Sequence, residues 1–412
     1  MDKERQREAR FLTLPAVLFL ASAFLLLGLR DFSLMSFIMA LLVPLAYMAG
    51  SVFLPRFIPA DRLLLGLVNF LCALGVLVLY RMKPQLGFDQ GVNYAVGLMG
   101  MLGCMLLVRF WHRVKWTVPL IALGALILMA LPVFIGTEKN GAKAWLNLPV
   151  FSFQPSEIVK VALLLILSFL LSRRKILQAI LFAGLCLGLL MLQKDLGTAL
   201  LYYIISLLLV FAATGSITIL GLGAAGAGAG AVLGYSMFSH VKRRVAIWID
   251  PWQDYKGNGY QVVQSLVAMA NGGLWGTGLG LGDAHRVIPE VQTDFIFSAI
   301  FNEFGVIFGL VVVLIYLVIF LRGVSVALRS RSRFHTLLAL GCSCFIALQA
   351  FVIIGGNIKL IPLTGVTLPF ISYGGTSLVS SLCIMGLLQG VANLNERGIL
   401  EDQMIAMVGE EG

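Results

Sequence analysis

Charge is what this chain has least of. Only 12% of its 412 residues are Asp, Glu, Lys or Arg, against 59% hydrophobic, where an ordinary soluble domain is about 25% charged. Too few ionic groups remain to cover a water-facing surface, which excludes a soluble enzyme and a disordered chain alike. Histidine is scarce as well: His112, His240, His285 and His335 are isolated and lack any metal-ligand spacing. The six cysteines (Cys72, Cys104, Cys186, Cys342, Cys344, Cys383) all fall within apolar runs, which excludes a disulfide framework in the polar loops. A phosphate-cradling fingerprint is also missing. GTGLGLG at 276–282 has no strand before it and reads as turn or close-packing glycine.

In their place stand long apolar runs. A helix needs about 20 mostly apolar residues to cross the hydrocarbon core. Runs of that kind cover 11–29, 33–54, 63–80, 91–108, 117–135, 155–172, 176–193, 198–214, 217–237, 294–321, 335–356 and 373–393. The expected fold class is an all-α polytopic membrane protein with about twelve transmembrane helices. A signal peptide is the rival reading of residues 1–29, but the run is long for one and a second spanning run follows it.

Lys and Arg in short loops set orientation. With the N-terminus inside, that side collects Arg109, Arg113, Lys115, Arg173, Arg174 and Lys175 among others, while the opposite short loops hold far fewer. Both termini are then cytoplasmic and the segment 238–293 is a large external loop. The net charge of +10 is accounted for by this bias and by anionic head groups, and implies no nucleic-acid partner.

Two polar segments exceed ordinary connections, 136–154 and 238–293. Within the second, GYQVVQSLVAMANGG predicts a short interfacial helix with Val263, Leu266, Val267 and Ala270 as its apolar residues and Asn271-Gly272-Gly273 as its stop. The run GLGAAGAGAG at 221–230 fits close helix packing in lipid.

Acids and cations gather at the polar ends of these runs. Glu157 and Lys160 share a helix face, as a structural ion pair or as part of an anion site. Trp145 stands on the first loop, where an indole packs on a sugar or belongs to the interfacial aromatic belt. Asp195 reads as a helix N-cap or a site acid. Lys242, Arg243 and Arg244 form a basic cluster suited to lipid phosphate or a particular pyrophosphate. Asp294 begins a span, as a helix-start residue or as a functional acid. Glu303 lies nine residues on, about 13 Å deeper along a continuous helix. Asn357 and Lys359 precede a proline-containing irregular stretch, whose backbone needs a protein or water-filled surrounding at membrane depth.

Taken together, WLNLPVFSFQPSEIVK, QKDLGTALL, GYQVVQSLVAMANGGLWGTGLG, TDFIFSAIFNEFG and LPFISYGGTS resemble, in order and spacing, the SEDS family of shape, elongation, division and sporulation proteins, to which RodA and FtsW belong. The resemblance covers about 63–395. It implies a ten-helix glycosyltransferase membrane domain there, preceded by a cytoplasmic N-terminus and an extra hairpin (1–62) and followed by a cytoplasmic tail (396–412). The implied activity is an inverting peptidoglycan glycosyltransferase that polymerises lipid II into β-1,4 glycan at the outer face of the bacterial cytoplasmic membrane.

Asp294 matches the family's essential loop aspartate, whose proposed role is to help activate the acceptor 4-hydroxyl. Trp145, Glu157, Lys160 and Asp195 fall on other motif positions. Lys160, Arg243 and Arg244 are expected to stabilise the departing pyrophosphate, and Lys359 to line the substrate cavity. The implied ligands are lipid II and undecaprenyl-pyrophosphate-linked glycan, and the implied partner is a class B penicillin-binding protein. No organic cofactor is expected, and a divalent-cation requirement stays open. A lipid II flippase is the alternative reading. Three departures stand out: Lys194 where proline is usual, Gln292 where histidine is common, and the extra hairpin.

Overall fold

The computed structural model describes residues 2–139, 141–147 and 152–410, with side chains from 13 to 398 apart from 57 and 139. Among the described residues eleven helices are long and apolar enough to cross a membrane, and a further apolar helix, Ile176–Leu192, is 17 residues long, so each expected run is a helix. In chain order they are α1 (Asp2–Asp31), α2 (Leu34–Met48, continued through a π turn at Ala49–Phe53), α3 (Arg62–Met82), α4 (Pro84–Arg109) and α5 (Val118–Ile135). After a small sheet come α6 (Pro155–Ser172), α7 (Ile176–Leu192), α8 (Leu196–Thr214), α9 (Ile217–Met237), α10 (Ser239–Ile249) and α11 (Tyr260–Gly272). The last three are α12 (Ile296–Leu328), α13 (Arg333–Asn357) and α14 (Gly375–Glu410).

Helix starts follow local chemistry. Asp61, Asp195 and Ser216 each accept the backbone N–H of the residue three further on, and Pro84 and Pro155 occupy first-turn positions where no donor is lost. The most interior columns are α14 and α3, with 83% and 78% of their spanning windows buried against 6% for α9. Apolar side chains on the outer helices are left for lipid. On α9, Gly223 and Gly226 lie against Leu207 and Tyr203, whereas a Cβ at Gly228 or Gly230 would meet nothing. Close packing therefore explains only part of the glycine run.

Three features depart from the sequence reading. The 136–154 segment carries antiparallel strands β1 (Thr137–Lys139), β2 (Ala142–Asn147) and β3 (Ser152–Phe153) in the order β1-β2-β3, a small exception in an otherwise helical chain. The 238–293 segment, expected as a large loop with one short helix, carries a second, α10, beside α11. The α11 helix stops at Gly272 as expected, with Gly273 at φ 52°, but it buries Val262, Val263, Ser265 and Ala268 while Val267 and Ala270 face out. Its inner stripe is lined by small residues against Phe295 and Ala299, so it packs onto the start of α12.

That start is separated from the rest of α12 by a break at Gly305 (φ 81°, ψ 175°). The freed N–H groups of Val306 and Ile307 donate to the carbonyls of Gly273 and Leu274. The glycine segment 273–283 thus fills the gap in the helix. Asn302 fastens it further, its Oδ1 accepting from Asp283 N at 3.0 Å and Ala284 N at 3.3 Å. These glycines serve both turns and close packing, with Gly276, Gly278 and Gly280 at positive φ and Gly276 and Gly282 closely approached by α12.

Candidate active site at the polar ends of the helices

Four separate segments converge on one cavity of about 290 Å³, lined by residues that include Arg243, Arg244 and Trp248 from α10, Gln261 and Val262 from α11, Glu290 and Asp294, and Lys359 with Leu363 from the irregular stretch after α13. Four sequence-predicted residues meet here: Asp294, Arg243, Arg244 and Lys359. The volume is close to the lower end for small-ligand sites, about 300 Å³.

Asp294 is held by its backbone. The Glu290 carbonyl, on a residue at φ 53°, accepts from Thr293 N at 3.2 Å and Asp294 N at 3.1 Å, and from Thr293 Oγ1 at 3.1 Å. Asn357 donates from Nδ2 to the Asp294 carbonyl at 2.7 Å. Ser372 donates to the Thr293 carbonyl at 2.7 Å, and Tyr373 N donates to the Gln292 carbonyl at 2.8 Å. The side chain of Gln292 turns instead to Glu290, at 3.3 Å. With its main chain fixed on both sides, the carboxylate of Asp294 points into the cavity from a defined position.

Across from it stands Arg244, whose Nη1 donates to the Thr364 carbonyl at 2.7 Å. Gly365, at φ +75°, lies between them: a Cβ there would be 3.4 Å from Arg244 Nη2 and 3.7 Å from Asp294 Oδ2. Burial pushes the Asp294 carboxyl up to about 6, with the Thr293 hydrogen bond and the Arg244 charge pulling down and Glu290 pushing up. Burial likewise lowers Arg244 from its ordinary value, opposed by Asp294 and Asp195. An acid that titrates near neutrality beside a fixed cation has the properties of a general base.

Lys359 has a structural task as well. Its Nζ donates to the Ile249 carbonyl at 3.3 Å, capping α10, and its own carbonyl accepts from Trp248 Nε1 at 3.2 Å. This exchange fixes α10, and with it Arg243 and Arg244, to the far side of the cavity.

The other predicted residues line a neighbouring set of contacts rather than this cavity. Lys160 Nζ lies 2.5 Å from Glu157 Oε2, which also accepts from Ser380 Oγ at 2.9 Å, so the structure forms the ion pair. Asp195 caps α8 through Thr198 N at 3.2 Å and accepts from Gln154 Nε2 at 2.7 Å. Burial raises its carboxyl, with the Thr198 bonds and Gln154 opposing. Trp145 is on β2, paired with Thr137. The two sets touch through Gly197, where a Cβ would meet the Thr364 carbonyl at 2.8 Å.

Sequence reasoning did not single out Glu290, Gln261, Asn258 and Trp248, which also line the cavity. Glu290 lies four residues before Asp294 and carried a local signal, an acid directly after Pro289; the others depend on the folding of 239–272. Among the described residues no group of three or more His, Cys, Asp or Glu side chains could hold a metal ion.

The FtsW/RodA/SpoVE family model, described as a cell cycle protein, matches residues 54–397. The chain is 35% identical over 372 residues to the peptidoglycan glycosyltransferase RodA of Mycobacterium tuberculosis, covering 82% of this chain and 79% of that one. It is 34% identical over 357 residues to a probable peptidoglycan glycosyltransferase FtsW of a Geobacter species, covering 81% and 96%. Stage V sporulation protein E of Bacillus subtilis is 32% identical over 358 residues, again covering 81% and 96%. Among solved structures, a chain of a peptidoglycan synthase complex that coordinates polymerization and crosslinking superimposes with a TM-score of 0.69 at 27% identity, covering 82% of this chain and 98% of that one. The rod shape determining protein RodA of Thermus thermophilus does so with a TM-score of 0.62, also at 27% identity and with the same coverage. A match that runs from residue 54 almost to the end of the helical core, carrying all five motifs in order, means that the chain belongs to the FtsW, RodA and SpoVE family, the SEDS proteins.

Proposed function

We propose that this protein is a peptidoglycan glycosyltransferase that polymerises lipid II, with Asp294 as its general base. The observation that carries the assignment of roles is the placement of Asp294 opposite Arg244 in a cavity that also holds Arg243 and Lys359. Lipid II joins a polyprenyl tail to a disaccharide through a pyrophosphate. Its enzyme needs a carboxylate at the acceptor sugar and cations at the pyrophosphate, a need that Asp294 just before α12 and Arg243 and Arg244 on α10 would meet.

In the reaction, Asp294 takes the proton of the acceptor 4-hydroxyl as its oxygen attacks the donor's anomeric carbon. The bond to the pyrophosphate breaks with its electron pair staying on phosphate. Arg243 and Arg244 offset that growing charge. Attack opposite the leaving group inverts an α-linked donor to a β-1,4 glycan. A positioned base of this kind contributes about 10² to 10⁴ in rate.

The further proposals follow from family membership and charge bias. Relatives named as a synthase complex and as RodA support a class B penicillin-binding protein as partner, and the Lys and Arg distribution supports a cytoplasmic location for both termini with the cavity outside.

Head-group transport is the second reading, and Glu303 bears on it. Its carboxylate accepts from Gly280 N at 3.2 Å and pairs with Arg81 at 3.5 Å, so it is engaged in holding the glycine segment instead of lining a path through the bilayer.

The test is lipid II polymerisation by the purified full chain with its transpeptidase, comparing wild type with Asp294→Asn. Glycan strands from wild type that vanish in the variant are expected. Equal yields from both would remove Asp294 as the base, and head-group translocation without polymerisation would favour the transporter.

A further inference from the structure

The N-terminal hairpin α1–α2 lies outside the family match, which begins at residue 54, yet it reaches the segment that separates two walls of the cavity. A Cβ added at Gly280 would lie 2.6 Å from Arg30 Nη1, 3.2 Å from Arg81 Nε and 3.5 Å from Leu27 Cδ2. Gly280 has φ +81°, so both its missing side chain and its backbone freedom are used. Glu303 accepts the Gly280 N–H, Arg81 pairs with Glu303, and Arg81 donates to the Gly280 carbonyl. One glycine is therefore hydrogen-bonded by an acid from α12 and a guanidinium from α3, with the guanidinium of the hairpin's Arg30 packed over the space a side chain would take.

The hairpin is itself well seated. Phe24 meets Tyr80 edge-on at 5.5 Å, and Ser36 Oγ lies 3.0 Å from Tyr80 Oη. Phe19 packs at 6.1 Å from Phe304 and 5.7 Å from Phe308, on either side of the Gly305 break. Its position is thus coupled to the same irregular part of α12 that the glycine segment fills.

Residues 273–283 connect α11, which gives Gln261 and Val262 to the cavity, to the segment that gives Glu290 and Asp294. A shift of Gly280 moves these walls against each other. We infer that Arg30 is a positioning residue for the cavity, holding Gly280 together with Arg81 and Glu303 so that Glu290 and Asp294 stand opposite α10. The inference rests on the proposed location of the active site. Arg30 is exposed, whereas the Arg81 side chain is only 14% accessible, so solvent screening leaves Arg81 the larger share.

The experiment uses the full chain with its transpeptidase, comparing wild type, Arg30→Ala, Arg30→Lys, Arg81→Ala and Asp294→Asn at matched thermal stability. Two quantities are read: amide hydrogen exchange by peptide, and the lipid II polymerisation rate at saturating substrate. Arg30→Ala is expected to speed exchange in 273–283 and lower the saturated rate by roughly two- to thirtyfold. Arg81→Ala should do more, and Arg30→Lys should recover part of both. A changed rate with unchanged exchange in 273–283 overturns the inference, as does faster exchange with an unchanged rate, which would make the contact merely structural. Wild-type rates in Asp294→Asn would instead show that the active site itself was misplaced.

Discussion

Asn357 holds the main chain of Asp294: its Nδ2 donates to the Asp294 carbonyl at 2.7 Å while its Oδ1 accepts from Ser298 Oγ at 3.1 Å. The amide is fully buried, so both of its ends are committed. Replacing it by Ala leaves a carbonyl and a hydroxyl without these partners, a loss of about 1–3 kcal/mol. Asn357→Ala should therefore lower thermal stability measurably and depress polymerisation more than the stability loss explains. An unchanged rate in the folded variant would show that the base does not depend on this anchor.

The carboxyl of Asp294 sits at about 6, and only its ionised form can accept a proton. Polymerisation should fall as pH drops through about 6 and level off above. Because Arg244 pulls the carboxyl down, Arg244→Gln should move this acid limb to higher pH in addition to reducing the maximum rate. A pH profile whose limb stays in place would break the electrostatic link.

Gly365 admits no side chain without strain. At φ +75° an L-residue loses roughly 1–2 kcal/mol, and its Cβ would intrude between Arg244 and Asp294. Gly365→Val should cut the rate strongly at a modest stability loss, read from turnover and thermal unfolding of the same sample. Full activity would mean that reactants do not pass between these two groups.

In the Glu157–Lys160 pair the lysine is buried and the glutamate partly so, at 3% and 16% side-chain accessibility. Neutralising one partner strands the other's charge, which destabilises by about 3–5 kcal/mol. Glu157→Gln and Lys160→Met should each lower the unfolding temperature, and the double variant should regain part of it in a double-mutant cycle. Single variants that keep their unfolding temperature but lose turnover would argue for direct contact with substrate.

Much of this architecture was readable because hydrophobic length and charge bias act locally along the chain. Even the stop of α11 at Gly272 followed from two glycines. Most charged residues of the cavity were readable too, since Asp294, Arg243 and Arg244 stand where a polar segment joins an apolar one, although Glu290 was missed. Their grouping was not. Trp145, Glu157, Lys160 and Asp195 lie at the same polar ends yet belong to a neighbouring set of contacts, because the fold of 239–272 selects which ends face one another. The tertiary packing that turns α11 by its small residues Ser265 and Ala268 has no signature in apolar periodicity. Lys359 shows a further limit: its charge suggested a place in the cavity, which it lines, but gave no sign that it also caps α10.

The break at Gly305 also decides how α12 can fit its solvent. Its 33 residues would make an unbroken rod of about 50 Å, against about 30 Å of hydrocarbon. Keeping all of that apolar length inside would require a lean of roughly 50°, beyond the 40° or so that spanning helices adopt. Counted from the residue after the break, 306–328, the column is about 35 Å long and crosses with an ordinary tilt. One glycine thereby relieves a hydrophobic mismatch and frees the preceding turns to serve the cavity rather than the bilayer.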